Sequence, residues 1–83
     1  MSREARLTRE VVEIVAAVAE VAPEAIAADA SLEQLGVDSL DGLRIVAAVE
    51  KKYGVVIGEA EIAKIRSMPD ILELVRRHAP DVE

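Results

Sequence analysis

The chain has 83 residues, a length that suits one compact domain, so residues 1–83 are predicted to fold as a single unit. Its 16 acidic and 10 basic residues give a net charge of −6, which opposes binding to nucleic acid or to an anionic membrane and favours basic protein partners. The sequence has no cysteine, no apolar run that spans a bilayer and no N-terminal signal segment. We therefore expect a cytoplasmic monomer that folds without disulfides.

The first predicted element is an amphipathic helix that begins between Ser2 and Thr8. Its apolar residues recur at spacings of three and four, and they are Leu7, Val11, Ile14, Val15 and Val18. Pro23 disfavours helical geometry at the preceding residue, Ala22, and so marks the end of this helix.

A long connection follows, over residues 22–37. Ser31 and Gln34 have the spacing of a capping box, which predicts a single helical turn over residues 31–35. Gly36 is positioned to leave that turn in the left-handed conformation. Long connections in small domains usually carry function, so we expect this one to have a functional role, local structure or both.

The second helix is predicted to begin at Asp38 or Ser39. Asp38 can cap backbone amides, and Asp41 places another carboxylate in the first turn, where the helix dipole favours negative charge. The helix should run to about Tyr53, because Gly54 is suited to end it.

This second helix is apolar on two faces. The face expected to pack in the core consists of Gly42, Ile45, Val46, Val49 and Tyr53. The opposite face carries Leu40, Leu43 and Ala47, beside Arg44 and Lys51. Periodicity leaves two interpretations open for that opposite face: it docks partners, or the first connection folds back and buries it.

After a short link over residues 55–57, residues 59–64 are predicted to form a brief third helix. Ser67 resembles the N-cap of a last helix that closes near His78, before Pro80. The apolar stripe of that helix is predicted to comprise Met68, Ile71, Leu72 and Val75.

The predicted fold is all-α: a small helical bundle of three principal helices plus one short helix, with a long first loop. No alternating apolar pattern of strand length occurs along the chain. His78 is expected to cap the end of the last helix or to be solvated there, where its partial positive charge is favourable.

Ser39 lies at a position with distinctive chemistry. The first amides of a helix lack intrahelical acceptors and the dipole favours negative charge, so a phosphate ester on this hydroxyl would be well tolerated. The ordinary alternative is that the serine is simply a helix cap. Nucleophilic catalysis is disfavoured, because the only histidine is His78 in the last helix and no G-x-S-x-G turn surrounds Ser39. We interpret Ser39 as an attachment point and predict no catalytic residue.

Residues 31–40, SLEQLGVDSL, resemble the attachment motif of acyl carrier proteins, including its Asp-Ser-Leu centre. Length, acidity, helix order and the long first connection also agree with that family. The resemblance implies that Ser39 receives 4′-phosphopantetheine from coenzyme A through a phosphopantetheinyl transferase, and that the terminal thiol of this arm carries an acyl group as a thioester. Asp38 resembles the acidic neighbour of the modified serine, and Leu40 and Asp41 resemble partner-contact positions. The protein would then be a substrate of acyl-loading, condensing and modifying enzymes, not an enzyme.

The predicted partner surface consists of Leu40, Asp41, Leu43, Arg44, Ala47 and Lys51. Carriers of fatty-acid synthesis usually present a strongly acidic second helix, whereas this one mixes basic and acidic residues. Like charges facing a basic partner lower affinity, so we expect dedicated enzymes of a specialised pathway, such as polyketide biosynthesis. A carrier for fatty-acid synthesis and an aminoacyl or peptidyl carrier are the alternatives with the same chemistry.

Other classes of protein are also considered. A helical interaction module without a prosthetic group is the main alternative, and it would dock partners on the Leu40, Leu43 and Ala47 face. No metal site is predicted, because residues 38–42 lack the regularly spaced oxygen ligands of a calcium-binding EF-hand loop. A hydrolase would need a base near Ser39 and a longer chain to enclose a pocket.

Overall fold

The computed structural model describes residues 2–79, and its helices are α1 (Arg3–Ala19), α2 (Ser39–Tyr53), α3 (Glu59–Ile62) and α4 (Met68–His78). Within that range there is no strand, and extended backbone pairs only in an isolated antiparallel bridge between Ser31 and Ser67. The predicted all-α bundle, with its three principal helices, one short helix and long first connection, is confirmed. The predicted boundary at Pro80 lies outside the described residues.

α1 begins at a capped N-terminus and ends earlier than predicted. The Ser2 hydroxyl caps the first turn by accepting a backbone hydrogen bond at 3.1 Å. The helix stops at Ala19 because Glu20 adopts the left-handed conformation, with a φ of 60°. Ala22 is extended, as expected for a residue before proline, and a 3-10 turn over Pro23–Ala25 follows.

The first connection contains the predicted capping box. The Ser31 hydroxyl accepts a hydrogen bond from the Gln34 amide at 3.1 Å, and the Gln34 side-chain oxygen accepts one from the Ser31 amide at 2.9 Å. Gly36 has a φ of 73°, the predicted left-handed conformation. The predicted single helical turn is present, because the Leu35 amide donates to the Ser31 carbonyl at 3.3 Å. Gly36 then reverses the chain, and the Val37 amide bonds back to the Leu32 carbonyl at 2.9 Å.

Two backbone hydrogen bonds fasten this turn to the start of α4. The Leu32 amide donates to the Arg66 carbonyl at 2.9 Å, and the Met68 amide donates to the Ala30 carbonyl at 2.9 Å. Ala30 and Leu32 are buried in the core. This pairing brings the first connection beside the segment that leads from α3 into α4.

α2 and α4 have the bounds that their capping residues predict. Gly54 ends α2 with a φ of 68°, and the Ser67 hydroxyl caps α4 by accepting a hydrogen bond from the Asp70 amide at 3.4 Å. The predicted core side chains of α2 are buried, namely Ile45, Val46 and Val49. In α4, Leu74 and not Leu72 completes the buried stripe, because Leu74 shares a helix face with Ile71 while Leu72 is only partly buried at its edge.

The core is entirely aliphatic at its centre. α1 packs against both α2 and α4. The largest fully buried side chains are Leu7, Val11, Val15, Ile45, Val49, Ile71, Leu74 and Val75. At the rim, the Tyr53 hydroxyl donates a hydrogen bond to the Glu10 carboxylate at 2.7 Å and ties the end of α2 to α1.

α3 is shorter than predicted, and side chains of α2 and α4 hydrogen-bond to it and to the link before it. It ends at Ile62, and its preceding link is fixed by the Glu50 carboxylate, which accepts a hydrogen bond from the Ile57 amide at 2.8 Å.

The expectation that His78 caps α4 or is solvated there is wrong. Its Nε2 lies 2.7 and 2.6 Å from the two Glu61 carboxylate oxygens, because α3 folds back alongside the end of α4.

Candidate functional site

Ser39 is the first residue of α2, and its side chain is exposed to solvent. Val37 is buried and anchors the chain just before the helix. Asp38 caps the helix, since its Oδ1 accepts a hydrogen bond from the Asp41 amide at 2.8 Å. The fold therefore displays the serine hydroxyl at a fixed position at a helix start.

The backbone around Ser39 offers unused hydrogen-bond donors. The amides of Ser39 and Leu40 have no acceptor among residues 2–79, as expected for a first helical turn. They also lie at the positive end of the α2 dipole. The carboxylates of Asp38 and Asp41 belong to the same turn and repel an anion. An anionic linker on the Ser39 hydroxyl would therefore be attracted by the backbone amides and the helix dipole and repelled by the two carboxylates.

A groove of about 700 Å³ opens beside Ser39. Its walls come from the turn of the first connection, the start of α2, and the segment leading from α3 into α4. The apolar side chains that line it are Leu32, Val37, Leu43, Ile62, Ala63 and Ile65. Its charged lining residues are Glu33, Asp38 and Arg66. A mainly apolar groove with a few polar groups can accommodate a flexible organic chain.

The outward face of α2 is open to solvent. Leu40 is 59% exposed and Leu43 is 51% exposed, and Ala47 is exposed as well. The interpretation in which the first connection buries this face is therefore wrong. Docking of partners on it stays a prediction.

Charge is distributed unevenly along α2. Asp38 and Asp41 lie at the end that carries Ser39, while Lys51 and Lys52 lie exposed in the last turn, an order that complements the helix dipole. Arg44 Nη1 lies 3.9 Å from Asp41 Oδ1, a loose contact whose arginine side chain is 66% exposed. Such a pair contributes little to stability and leaves Arg44 accessible.

Clusters of metal-ligating side chains and membrane-spanning helices are both absent from residues 2–79. Among residues 2–79, no group of three or more histidine, cysteine, aspartate or glutamate side chains is placed to hold a metal ion. No helix in the same range is both long and apolar enough to cross a bilayer.

The structure adds neighbours of Ser39 that local patterns do not reveal. Arg66, Ile65 and Glu33 line the same groove as Ser39. Arg66 and Ile65 are distant from Ser39 in sequence and come close through the backbone bridge between Ser31 and Ser67. No spacing or capping signal indicates that pairing.

Comparison with known proteins identifies the family. Residues 9–75 match the sequence model of the family described as phosphopantetheine attachment site. This chain belongs to the acyl carrier protein family. The acyl carrier protein of Campylobacter hominis is 37% identical over 67 residues, which cover 80% of this chain and 85% of that protein. The acyl carrier protein of Rickettsia bellii is 30% identical over 79 residues, 94% of this chain and 92% of that protein.

A solved structure agrees in fold as well. The crystal structure of the acyl carrier protein of Thermotoga maritima superposes with a TM-score of 0.77 at 27% sequence identity, covering 89% of this chain and 87% of that chain. Membership of the family means that this acyl carrier bears covalent 4′-phosphopantetheine and serves biosynthetic enzymes without being a catalyst itself. An exposed serine hydroxyl, unused amides and an adjacent groove fit such an arm.

Proposed function

We propose that the Ser39 hydroxyl is the attachment point of the 4′-phosphopantetheine arm, and that the chain carries acyl intermediates as thioesters on it for a specialised pathway such as polyketide biosynthesis. The observation that carries this proposal is the exposure of Ser39 at the first position of α2, beside amides without acceptors. The phosphodiester would lie against these amides, and the flexible remainder would extend into solvent or along the groove.

The carboxylates of Asp38 and Asp41 give this site a second property. Both lie in the turn that carries Ser39, so they repel the phosphodiester and direct the arm outward. A basic partner neutralises these charges on docking. We infer that this cluster keeps the arm mobile until an enzyme binds, and that the interaction weakens as salt screens it.

The pathway is proposed from the charge along α2. Arg44, Lys51 and Lys52 are exposed on this helix, so a uniformly basic partner is attracted to the Ser39 end of α2 but repelled by these three residues. Enzymes with an acidic patch that faces these three basic residues should bind more tightly than uniformly basic ones. This charge pattern favours partners dedicated to the chain. Fatty-acid synthesis is the second candidate, because the similar proteins are named acyl carrier proteins without further specialisation.

Intact mass spectrometry tests the attachment. Incubation with coenzyme A and a phosphopantetheinyl transferase of broad specificity should add one phosphopantetheine to the wild type and none to Ser39→Ala. Ser2→Ala is the matched control, because it removes another exposed serine hydroxyl that caps a helix far along the chain from Ser39. An unchanged wild-type mass would contradict the proposal and favour an interaction module without a prosthetic group.

A rate comparison tests the pathway. The arm-bearing protein should be acylated and extended faster by polyketide-type loading and condensing enzymes than by the corresponding enzymes of fatty-acid synthesis. The reverse order of rates would assign the chain to fatty-acid synthesis. Acceptance of amino acids in preference to acyl groups would assign it to the aminoacyl or peptidyl carriers.

A further inference from the structure

Among the described residues that line the groove beside Ser39, Arg66 is the one with a positively charged side chain. It follows α3 and immediately precedes Ser67, the N-cap of α4. The opposite wall of the groove belongs to α2, which contributes Ser39, Gly42 and Leu43. Arg66 and the proposed attachment point are therefore residues of the same groove.

The backbone of Arg66 is fixed on both sides. Its amide donates to Asp70 Oδ2 at 3.0 Å, and its carbonyl accepts the hydrogen bond from the Leu32 amide at 2.9 Å. These bonds hold the base of the side chain at the groove edge. The backbone of Arg66 is thus held in place, and the guanidinium can still move at the end of its side chain.

The guanidinium itself is available. The Arg66 side chain is exposed, and within residues 2–79 it has neither an ion pair nor a hydrogen bond to a side chain. By contrast, Arg76 contacts Glu4 and Glu73. A planar guanidinium with free N–H groups is the side chain best suited to paired contacts with a carboxylate or phosphate.

We propose that Arg66 is an anion receptor for the arm, a role that rests on the proposed attachment at Ser39. It binds an oxyanion that the arm brings into the groove. Two groups supply that chemistry: the phosphodiester at Ser39, or the carboxylate of an acyl unit derived from a dicarboxylic acid. The groove also has apolar lining residues, including Ile62 and Ile65, which the apolar part of the arm can contact.

Nuclear magnetic resonance on the arm-bearing protein distinguishes the two sources. The ³¹P signal reports the phosphodiester, and a ¹³C label in the free carboxyl of a malonyl thioester reports the acyl group. Each signal is compared between the wild type and Arg66→Gln. Lys64→Gln is the matched control, because it removes an exposed positive charge from the same segment without lining the groove.

We expect one of the two signals to shift in Arg66→Gln while Lys64→Gln keeps the wild-type value, and we expect 1 M salt to reduce the difference by screening. A ³¹P shift identifies the phosphodiester as the ligand, and a ¹³C shift identifies a carboxylate-ended cargo. If neither signal moves in an arm-bearing Arg66→Gln protein, the receptor role is overturned and the attachment at Ser39 stands. If the mass of the wild-type protein shows no arm, both the attachment at Ser39 and the receptor role of Arg66 are overturned.

Discussion

The Glu61 carboxylate contacts Nε2 of His78 through both of its oxygens, at 2.7 and 2.6 Å, and this contact joins α3 to the last turn of α4. Glu61 is on one of the shortest elements of the fold, and α3 also carries Ile62, which lines the groove beside Ser39. The contact therefore connects the far end of α4 to one wall of the groove.

The first prediction concerns acid sensitivity. The hydrogen bond from His78 is the main cause that lowers the pKa of Glu61 below its usual value of 4.5; burial opposes it, and the charge of His78 adds a smaller lowering effect. Because the folded-state pKa lies below the unfolded one, the stabilisation is fully present above about pH 4.5 and is lost as pH falls through the folded pKa. Urea denaturation of the wild type and Glu61→Gln should therefore differ most at neutral pH and converge in acid.

Glu59→Gln is the control for that titration, because it removes an exposed carboxylate from the same short helix. Its unfolding free energy should follow the wild-type pH profile more closely than Glu61→Gln does. Equal profiles for both variants would show that the contact with His78 does not contribute.

The second prediction compares two glycines. Gly36 has a φ of 73° and open space at its Cβ position, so alanine there meets only backbone strain. We expect Gly36→Ala to lower the unfolding free energy by about 1 kcal/mol. Gly42 is helical with equally open space, so Gly42→Ala should raise stability by roughly 0.5–1 kcal/mol. Chemical denaturation measures both, and changes of the same sign would contradict the assignment of Gly36.

The third prediction separates the core from the docking face. Ile71 is 1% exposed, and Ile71→Val should cost about 1 kcal/mol of unfolding free energy. Leu40 is 59% exposed, so Leu40→Ala should change stability by less than about 0.5 kcal/mol. Leu40→Ala should nevertheless lower kcat/KM of the transferase reaction, if this face docks partners. Val56→Ala is the matched control, because Val56 is 86% exposed beyond the other end of α2.

The fourth prediction concerns charge on α2. Replacing two of the three basic residues of α2 in Arg44→Glu/Lys51→Glu makes the helix surface mainly acidic, which favours basic partners. We expect faster acylation by enzymes of fatty-acid synthesis and slower reaction with the native partners, mainly through the association rate. Lys64→Glu makes a charge change of the same kind outside α2 and should leave this preference unaltered. If the double substitution has no effect on either class of enzyme, charge on α2 does not select partners.

Much of the fold could be predicted from local signals. The bounds of α2 and the start of α4 follow from Asp38, Gly54 and Ser67, because capping is decided within a few residues of sequence. The end of α1 could not be predicted in this way. Glycine indicates a left-handed position in the sequence, but glutamate, which adopts that conformation at Glu20, does not.

Some residues of the candidate site could be predicted from local sequence, and others could not. Ser39 is indicated by its motif and its helical position, and the structure exposes it. Arg66 and the contact between Glu61 and His78 depend on segments that meet only in the folded chain. Periodicity describes one helix at a time and therefore carries no information on such contacts.

Tyr53 is the only aromatic residue besides histidine, since the chain has no tryptophan and no phenylalanine. Its hydroxyl is bonded to Glu10 where α2 meets α1. The near-ultraviolet absorption and intrinsic fluorescence of the polypeptide therefore arise at that single junction. Tyrosine fluorescence therefore reports the local environment of this junction. Loading of the serine end of α2 with an arm or an acyl group, far along the helix, has to be followed by mass or by magnetic nuclei.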